Sequence, residues 1–280
     1  MRQIDANLIT KEVRRMAIEA NYFLPDDVQK RLEESRDGED WELAASTIDK
    51  IVQNANIART EEVPMCQDTG MLVVFVEIGQ DVQIVNGYIE DAINQGIREG
   101  YEDGYLRKSV VKDPLDRVNT KDNTPGIIHY EIVPGDSLKI TVAPKGFGSE
   151  NMSRLTMLKP AQGLQGVKDF ILETVELAGP NPCPPIVVGV GIGGTFEKAA
   201  FLAKKSLMRD LDSYSENPYY ADLEKELLEE INKLGIGPQG FGGKTTALKV
   251  QIETYPTHIA GLPVAVNIQC HATRHKQVIL

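Results

Sequence analysis

The sequence predicts an α+β fold (mixed α/β), in which an N-terminal helical segment precedes a mixed-sheet body with surrounding helices. Two observations indicate this fold. Residues 1–60 carry apolar side chains at helical spacing, whereas from Met71 onward apolar runs of strand length alternate with further helical patterns. No internal repeat, low-complexity tract or linker interrupts the chain. We therefore expect one domain over residues 1–280, with a helical leader at 1–60 and the body at 61–280.

The leader is predicted to contain three helices. The first and third each carry an apolar stripe on one face, and "LPDD" starts the helix between them, because Pro25 suits a first helical turn. The first stripe consists of Ile9, Val13, Met16, Ala17 and Ala20, and the other of Ala44, Ile48, Ile51, Val52 and Ala55.

In the body, "MLVVFVEI" from Met71 predicts a buried strand, and the isoleucines after it predict a helix. The runs Ile127–Val133 and 137–143, joined by Pro-Gly-Asp, predict a β-hairpin. The later predicted elements are a helix at 167–177, a strand at Ile186, a helix from Phe196, an acidic helix at 222–234, and the strands "ALKVQIET" and "PVAVNIQ".

Composition excludes several classes of protein. The 280 residues carry a net charge of −11, from 41 acidic and 30 basic residues, which argues against a nucleic-acid or anionic-membrane surface. No apolar run approaches the ~20 residues of a membrane helix, and the N-terminus is too charged for a signal peptide. Three widely spaced cysteines favour reduced thiols over disulfides. We expect a cytoplasmic protein that binds neither nucleic acid nor membrane.

Two glycine-rich stretches imitate phosphate-binding loops. Gly189, Gly191 and Gly194 fit G-x-G-x-x-G after a strand, but no acidic residue ends a second strand about 20 positions on, as a dinucleotide site requires. "GIGPQGFGGKTT" has Pro238 where a P-loop requires glycine. Neither stretch predicts a nucleotide site, and a glycine-rich turn is the simpler interpretation of the second.

The three cysteines lie in polar or turn-forming stretches. Cys66 stands in "VPMCQDTG", Cys183 in "NPCPP" and Cys270 in "NIQCHATRH". Buried unreactive thiols are one interpretation of these cysteines. A zinc site with His258 or His271 as fourth ligand is another, although the paired cysteine spacing of structural zinc sites is absent. Three thiolates also suit an iron–sulfur cluster in which one iron has no protein ligand.

Four motifs together resemble one family. "MCQDTG", "NPCPP" with its glycine-rich sequel, "KGFGSEN" and "QCHATRH" are similar to motifs of the α subunit of two-subunit class I fumarases and of the closely similar L(+)-tartrate dehydratases. The resemblance spans nearly the whole chain. It implies a hydro-lyase that hydrates fumarate to L-malate on a [4Fe–4S] cluster held by Cys66, Cys183 and Cys270, whose fourth iron binds the substrate hydroxyl and a carboxylate. A tartrate dehydratase α subunit is the alternative within this class. A non-catalytic zinc or iron–sulfur sensor is the alternative outside it.

The same resemblance places five further residues at the substrate: Gln67, Asp68, Arg107, Gly148 and His258. It implies that Gln67 and Asp68 lie near the substrate and the iron. Arg107 corresponds to an arginine that grips a substrate carboxylate, a task suited to a planar bidentate donor. Gly148 corresponds to a glycine whose backbone faces the substrate, although its loop is less glycine-rich than in long-chain fumarases. His258 would be catalytic, paired with Asp68.

The resemblance also implies a partner. In long fumarases the proton-abstracting threonine and further carboxylate-binding basic residues belong to a second domain, so we expect a β subunit that carries them, in a heterodimer or heterotetramer. The substrate would be a small dicarboxylate, fumarate and malate or tartrate. Residues 189–194 are expected to shape the wall behind Cys183. His271 and His275 receive no role.

Overall fold

The structure, a computed structural model, describes residues Met1–Leu280 and consists of two compact units. The first unit comprises Met1–Pro25, Asn54–Phe147 and Arg274–Leu280, and the second comprises Asp26–Gln53 and Gly148–Thr273. Helices and mixed sheets are both present, which confirms the predicted α+β class. The helices include none that is long and apolar enough to cross a membrane. The prediction of a single domain divided at residue 60 stays a prediction.

The helices are α1 (Ala6–Tyr22), α2 (Asp26–Asp37), α3 (Glu42–Glu61), α4 (Ile89–Asp103), α5 (Phe147–Glu150), α6 (Gly163–Ala178), α7 (Phe196–Ser206) and α8 (Pro218–Lys233). The strands are β1 (Arg2–Asp5), β2 (Met71–Gly79), β3 (Val82–Val85), β4 (Ile127–Val133), β5 (Leu138–Lys145), β6 (Arg154–Leu158), β7 (Ile186–Gly193), β8 (Ala247–Tyr255), β9 (Leu262–Gln269) and β10 (Lys276–Ile279). Short 3₁₀ turns occur at Pro160–Gln162 and Pro238–Gly240.

In the first unit, the predicted apolar stripe of α1 is confirmed. All five of its residues are fully buried, and the helix begins where the Asp5 side chain accepts a hydrogen bond from the Asn7 amide at 2.7 Å. α1 packs against α4, where a side chain at Gly96 would lie 2.6 Å from the Thr10 carbonyl oxygen. The two helices bury one face of the sheet, so the stripe in the sequence marks the core.

The sheet of the first unit has the strand order β10-β5-β2-β4. The predicted hairpin of β4 and β5 is therefore wrong. β2 lies between them, parallel to β4 and antiparallel to β5, so that Val76 pairs with Tyr130 on one side and Ile140 on the other. The Gly79 amide donates to the Ser137 carbonyl at 2.8 Å, which places the end of β2 inside the turn. Two strand patterns joined by a short turn cannot reveal an earlier strand inserted between them.

The second unit contains the sheet β6-β9-β7-β8, in which β7 is buried along its whole length. β7 runs parallel to β8 and antiparallel to β9. Apolar residues of α6 and α8 form a core with this sheet, and α7 also packs on it. The predicted helices at 167–177 and 222–234 correspond to α6 and α8, and both are confirmed.

The glycines of the G-x-G-x-x-G pattern allow α7 to approach this sheet. A side chain at Gly189 would lie 2.2 Å from the Ala203 carbonyl oxygen, and one at Gly191 would lie 2.1 Å from the Ala199 carbonyl oxygen. Both glycines lie inside β7, not in a loop. Their lack of a side chain therefore serves helix packing. The expectation that residues 189–194 shape the wall behind Cys183 stays a prediction.

One buried cation in the second unit has no hydrogen-bond partner. Lys249 on β8 is 2% exposed, and its Nζ lies 3.3 Å from the centroid of the Tyr214 ring. Burial lowers the pKa of this ammonium to about 8. The neighbouring Glu224 carboxylate is already bonded, because it accepts from Arg209 at 2.8 Å and from the Ile252 amide at 2.8 Å. Lys249 is therefore charged at neutral pH at a cost to stability.

We expect Lys249→Met to raise the melting temperature at pH 7, because it removes a buried charge that lacks a hydrogen bond. The pKa of Lys249 is lower in the folded chain than in the unfolded one, so the cost is full below pH 8 and fades as the pH rises toward the unfolded value. The gain measured by thermal unfolding should therefore shrink between pH 8 and pH ~10.4. Lys225→Met, at an exposed lysine over the same ring, is the matched control. A gain in melting temperature that does not change with pH would contradict the lowered pKa of Lys249.

Candidate active site

The loop that carries Cys66 is fixed on both sides by main-chain contacts in the first unit. Before the cysteine, the Met65 amide donates to the Asn21 carbonyl at 3.0 Å, and Asn54 Nδ2 donates to the Met65 carbonyl at 2.8 Å. After it, the Asp68 amide donates to Cys66 Sγ at 3.4 Å. The half-buried sulfur is thus an acceptor of a main-chain hydrogen bond. Gln67 is exposed, with Oε1 3.6 Å from the same sulfur.

The Asp68 carboxylate ties this loop to the segment that follows β5. Oδ1 accepts from the Gly70 amide at 3.0 Å, and Oδ2 accepts from the Phe147 amide at 2.9 Å. The Asp68 carbonyl accepts from Arg274 Nη2 at 2.7 Å, and Arg274 is buried. Asp68 therefore has an architectural role in addition to the catalytic one that the resemblance implies.

Three buried side chains beneath the loop were not predicted from the sequence: Tyr101, Asn123 and Arg274. The Tyr101 hydroxyl lies 2.6 Å from the Thr69 carbonyl and 3.0 Å from the Gly70 carbonyl, both of which are acceptors for its proton. Burial raises the pKa of the Tyr101 phenol, so it stays a donor. A signal for Tyr101 exists, since it continues the apolar stripe of α4 and a buried tyrosine hydroxyl needs a partner.

Arg107 lies on the surface of the first unit. Its main-chain carbonyl accepts from the Thr69 hydroxyl at 2.9 Å, which connects it to the Cys66 loop. The guanidinium makes no ion pair or hydrogen bond within the chain. An exposed, unpaired arginine with a fixed backbone can bind an anion without first breaking an internal ion pair.

In the second unit, the Cys183 segment rests on side chains from distant parts of the sequence. Cys183 is exposed and has φ 55°, and its carbonyl lies 3.0 Å from His271 Nδ1. The Gln239 amide and Nε2 both donate to the Pro184 carbonyl at 2.8 Å. Gln239 belongs to the glycine-rich stretch that imitates a P-loop, so this stretch is a turn that supports the cysteine segment. His271, for which no role was predicted, also contacts the Cys183 carbonyl.

Cys270 is half-buried and directly follows β9, which ends at Gln269. The Ser149 hydroxyl donates to Gln269 Oε1 at 3.3 Å, which brings the α5 segment to the end of β9. Gly148 lies exposed in α5, and a side chain there would meet only the Asn181 carbonyl oxygen, at 3.8 Å. The fold therefore does not require glycine at 148.

His258 lies exposed between β8 and β9, and its Nδ1 accepts from the Ala260 amide at 3.2 Å. The neutral ring then carries its proton on Nε2. Asp68 belongs to the first unit and His258 to the second, and the predicted pairing of the two stays a prediction.

The three cysteines are distributed over the two units. Cys66 belongs to the first, and Cys183 and Cys270 belong to the second. No disulfide involves any of them. Neither unit by itself contains three or more histidine, cysteine or acidic side chains grouped to hold a metal ion.

Comparison with known proteins identifies the family. A family model described as fumarate hydratase (Fumerase) matches residues 10–279. The chain therefore belongs to the fumarate hydratase family of hydro-lyases, as the motifs indicated. It is 46% identical over 263 residues to a putative L(+)-tartrate dehydratase subunit alpha of Methanocaldococcus jannaschii, covering 91% of this chain and 92% of that protein. It is 34% identical over 277 residues to the L(+)-tartrate dehydratase subunit alpha of Escherichia coli strain UTI89, covering 98% and 91%.

Gly70→Ala should destabilise the first unit. Gly70 has φ +74°, and an added methyl would lie 2.7 Å from the Lys145 amide nitrogen, so we expect a loss of about 2 kcal/mol or more in unfolding free energy. Gly148→Ala is the control and should change stability by at most about 0.5 kcal/mol. Urea unfolding of both variants measures the difference. Equal midpoints would contradict the tight contact of Gly70 with Lys145.

Proposed function

We propose that this chain is the α subunit of a two-subunit iron–sulfur hydro-lyase that interconverts fumarate and L-malate. The match to the fumarate hydratase family over residues 10–279 carries the proposal. The unpaired Arg107 beside the Cys66 loop supports it, because a dicarboxylate needs a local positive group in a chain of net charge −11. We further propose that it acts in the cytoplasm.

The donor set fits a [4Fe–4S] cluster. Three thiols stand outside any disulfide, and none of them is fully buried. Three cysteine ligands leave one iron without a protein ligand, and the main-chain hydrogen bond to Cys66 Sγ is of a kind that tunes such clusters. We assign the cluster to Cys66, Cys183 and Cys270. When bound, it supplies a Lewis acid for a departing hydroxide.

Arg107 would bind one substrate carboxylate through two parallel N–H donors, which fixes the orientation of the dicarboxylate as well as its position. Gln67 presents an exposed amide directly beside Cys66, where it can donate to a substrate oxygen. The exposed main chain at Gly148 lies on α5, which Ser149 anchors to the residue before Cys270. These three contacts would hold the diacid in one pose.

The remaining roles concern protons. Each Asp68 oxygen accepts one main-chain N–H and keeps capacity for a second donor, so Asp68 can orient a substrate hydroxyl or a histidine. His258 can hold or release a proton at Nε2, because Nδ1 is engaged by Ala260. We assign removal of the C3 proton to a residue of the β subunit. The relatives' designation as subunit alpha supports a partner, and we propose a heterodimer or heterotetramer.

L(+)-tartrate dehydration is the second candidate, because the relatives at 46% and 34% identity are named for that activity. The two substrates differ by one hydroxyl, and both would use the same carboxylate contacts. A sensor that uses the same thiols without catalysis is disfavoured by the match to a family of hydro-lyases.

The test is anaerobic co-expression with the β subunit, followed by iron and sulfide analysis and by assays with fumarate, malate and tartrate. We expect about four irons per chain, activity that air destroys, and no turnover by the purified α chain. Serine at Cys66, Cys183 or Cys270 should each abolish the cluster. Full iron content in any one variant would remove that cysteine from the ligand set, and stoichiometric zinc would overturn the cluster. Turnover of tartrate but not of fumarate would select the second candidate.

Arg107→Lys keeps the charge but loses the two-pronged geometry. We expect kcat/KM to fall at least about tenfold, equivalent to about 1.4 kcal/mol, with unchanged iron content. Arg117→Lys is the matched control, because Arg117 is exposed between α4 and β4 and its guanidinium contacts only the Pro114 carbonyl. Wild-type kinetics of Arg107→Lys toward both fumarate and malate would show that Arg107 is not a carboxylate clamp.

A further inference from the structure

Asn123 joins two segments of the first unit through a single side chain. Its Nδ2 donates to the Gly70 carbonyl at 3.1 Å, and its Oδ1 accepts from the Ser109 amide at 2.7 Å and the Val110 amide at 3.2 Å. Asn123 is fully buried. Both ends of the amide are therefore engaged, one with each segment.

The two joined segments carry proposed substrate contacts. Gly70 ends the loop of residues 66–70, which contains Cys66, Gln67 and Asp68, and Ser109 follows Arg107 by two residues. A second tie, from the Thr69 hydroxyl to the Arg107 carbonyl, runs beside the first. The Arg107 guanidinium and the Cys66 thiol are thus carried by two segments that the side chains of Asn123 and Thr69 link by hydrogen bonds.

The conformation of Asn123 indicates that the join is held firmly. Its φ is 61°, in the left-handed region that few residues other than glycine adopt, although asparagine tolerates it better than most. Such a conformation persists when surrounding contacts over-determine it. Here those contacts are three hydrogen bonds to main-chain groups, and burial shields them from competing water.

We propose that Asn123 is a positioning residue that sets the separation between Arg107 and the Cys66 loop, and through it the affinity for the dicarboxylate. The part of this proposal that concerns affinity rests on the proposed function. The part that concerns the join between the two segments does not.

The first test is Asn123→Asp in the anaerobic complex with the β subunit. Aspartate keeps the shape and the acceptor for Ser109 and Val110, but it cannot donate to the Gly70 carbonyl. We expect KM for fumarate and malate to rise at least about tenfold, kcat to change less, and iron content to stay at the wild-type value. Asn94→Asp is the matched control, because Asn94 also donates to one main-chain carbonyl and accepts from one main-chain amide, away from Arg107. A fall in kcat with unchanged KM would overturn the proposal.

A double-variant cycle shows whether Asn123 acts through Arg107. If it does, adding Asn123→Asp to Arg107→Lys should lower kcat/KM by no more than about twofold beyond Arg107→Lys alone. If the effects of the two substitutions on kcat/KM are fully additive, Asn123 acts independently of Arg107, and the positioning role is overturned.

Hydrogen exchange of the α chain gives a readout that needs no activity. Peptides covering 66–70 and 107–110 should exchange faster together in Asn123→Asp, while peptides from β7 keep the wild-type rate. Asn123→Gly accepts the left-handed φ and should also release the Ser109 and Val110 amides. Unchanged exchange in both peptides would overturn the join even in an active enzyme. A complex that turns over neither fumarate nor tartrate would instead refute the proposed function, and exchange alone would then decide the join.

Discussion

The first unit depends on hydrogen bonds that side chains donate to the main-chain carbonyls of the loop of residues 66–70. This loop has no regular secondary structure, and its last two residues are buried, so its polar groups need partners other than water. The carbonyls of residues 68–70 accept hydrogen bonds from three buried side chains, Arg274, Tyr101 and Asn123. These hydrogen bonds also fix the main chain that carries the Cys66 thiol, the Gln67 amide and the Asp68 carboxylate. Architecture and candidate chemistry therefore share one network.

Glycine-rich stretches serve close packing throughout the chain. Gly189 and Gly191 let α7 approach β7, and Gly70 lets its loop approach the Lys145 main chain. The stretch at residues 235–246 forms a turn, and its Gln239 supports the Pro184 carbonyl. In sequence, two of these stretches imitate phosphate loops, because both uses need backbone without a side chain. The structure shows the packing use at Gly189 and Gly191, where the backbone of α7 lies against the strand.

The electrostatics of the chain bear on how the proposed dicarboxylate would bind. The net charge of −11 repels anions in general, so a local cation must select them. Most arginines here form ion pairs with acidic residues, such as Arg14 with Asp103 and Arg209 with Glu224. Arg107 is exposed and makes no such pair. An unpaired arginine on a hydrogen-bonded backbone is suited to bind a carboxylate from outside the chain.

The sequence by itself determined the helices with apolar stripes, the buried strands and the family. Hydrophobic periodicity indicates which face of an element is buried, and each family motif is a short contiguous stretch of sequence. Only the tertiary structure decided that β2 lies between β4 and β5, that Gln239 and His271 support Cys183, and that Asn123 joins two segments. The reason is distance along the chain. Asn123 and Gly70 are 53 residues apart and Arg274 and Asp68 are 206 apart, and contacts from a side chain to a distant main chain leave no periodic pattern in either segment.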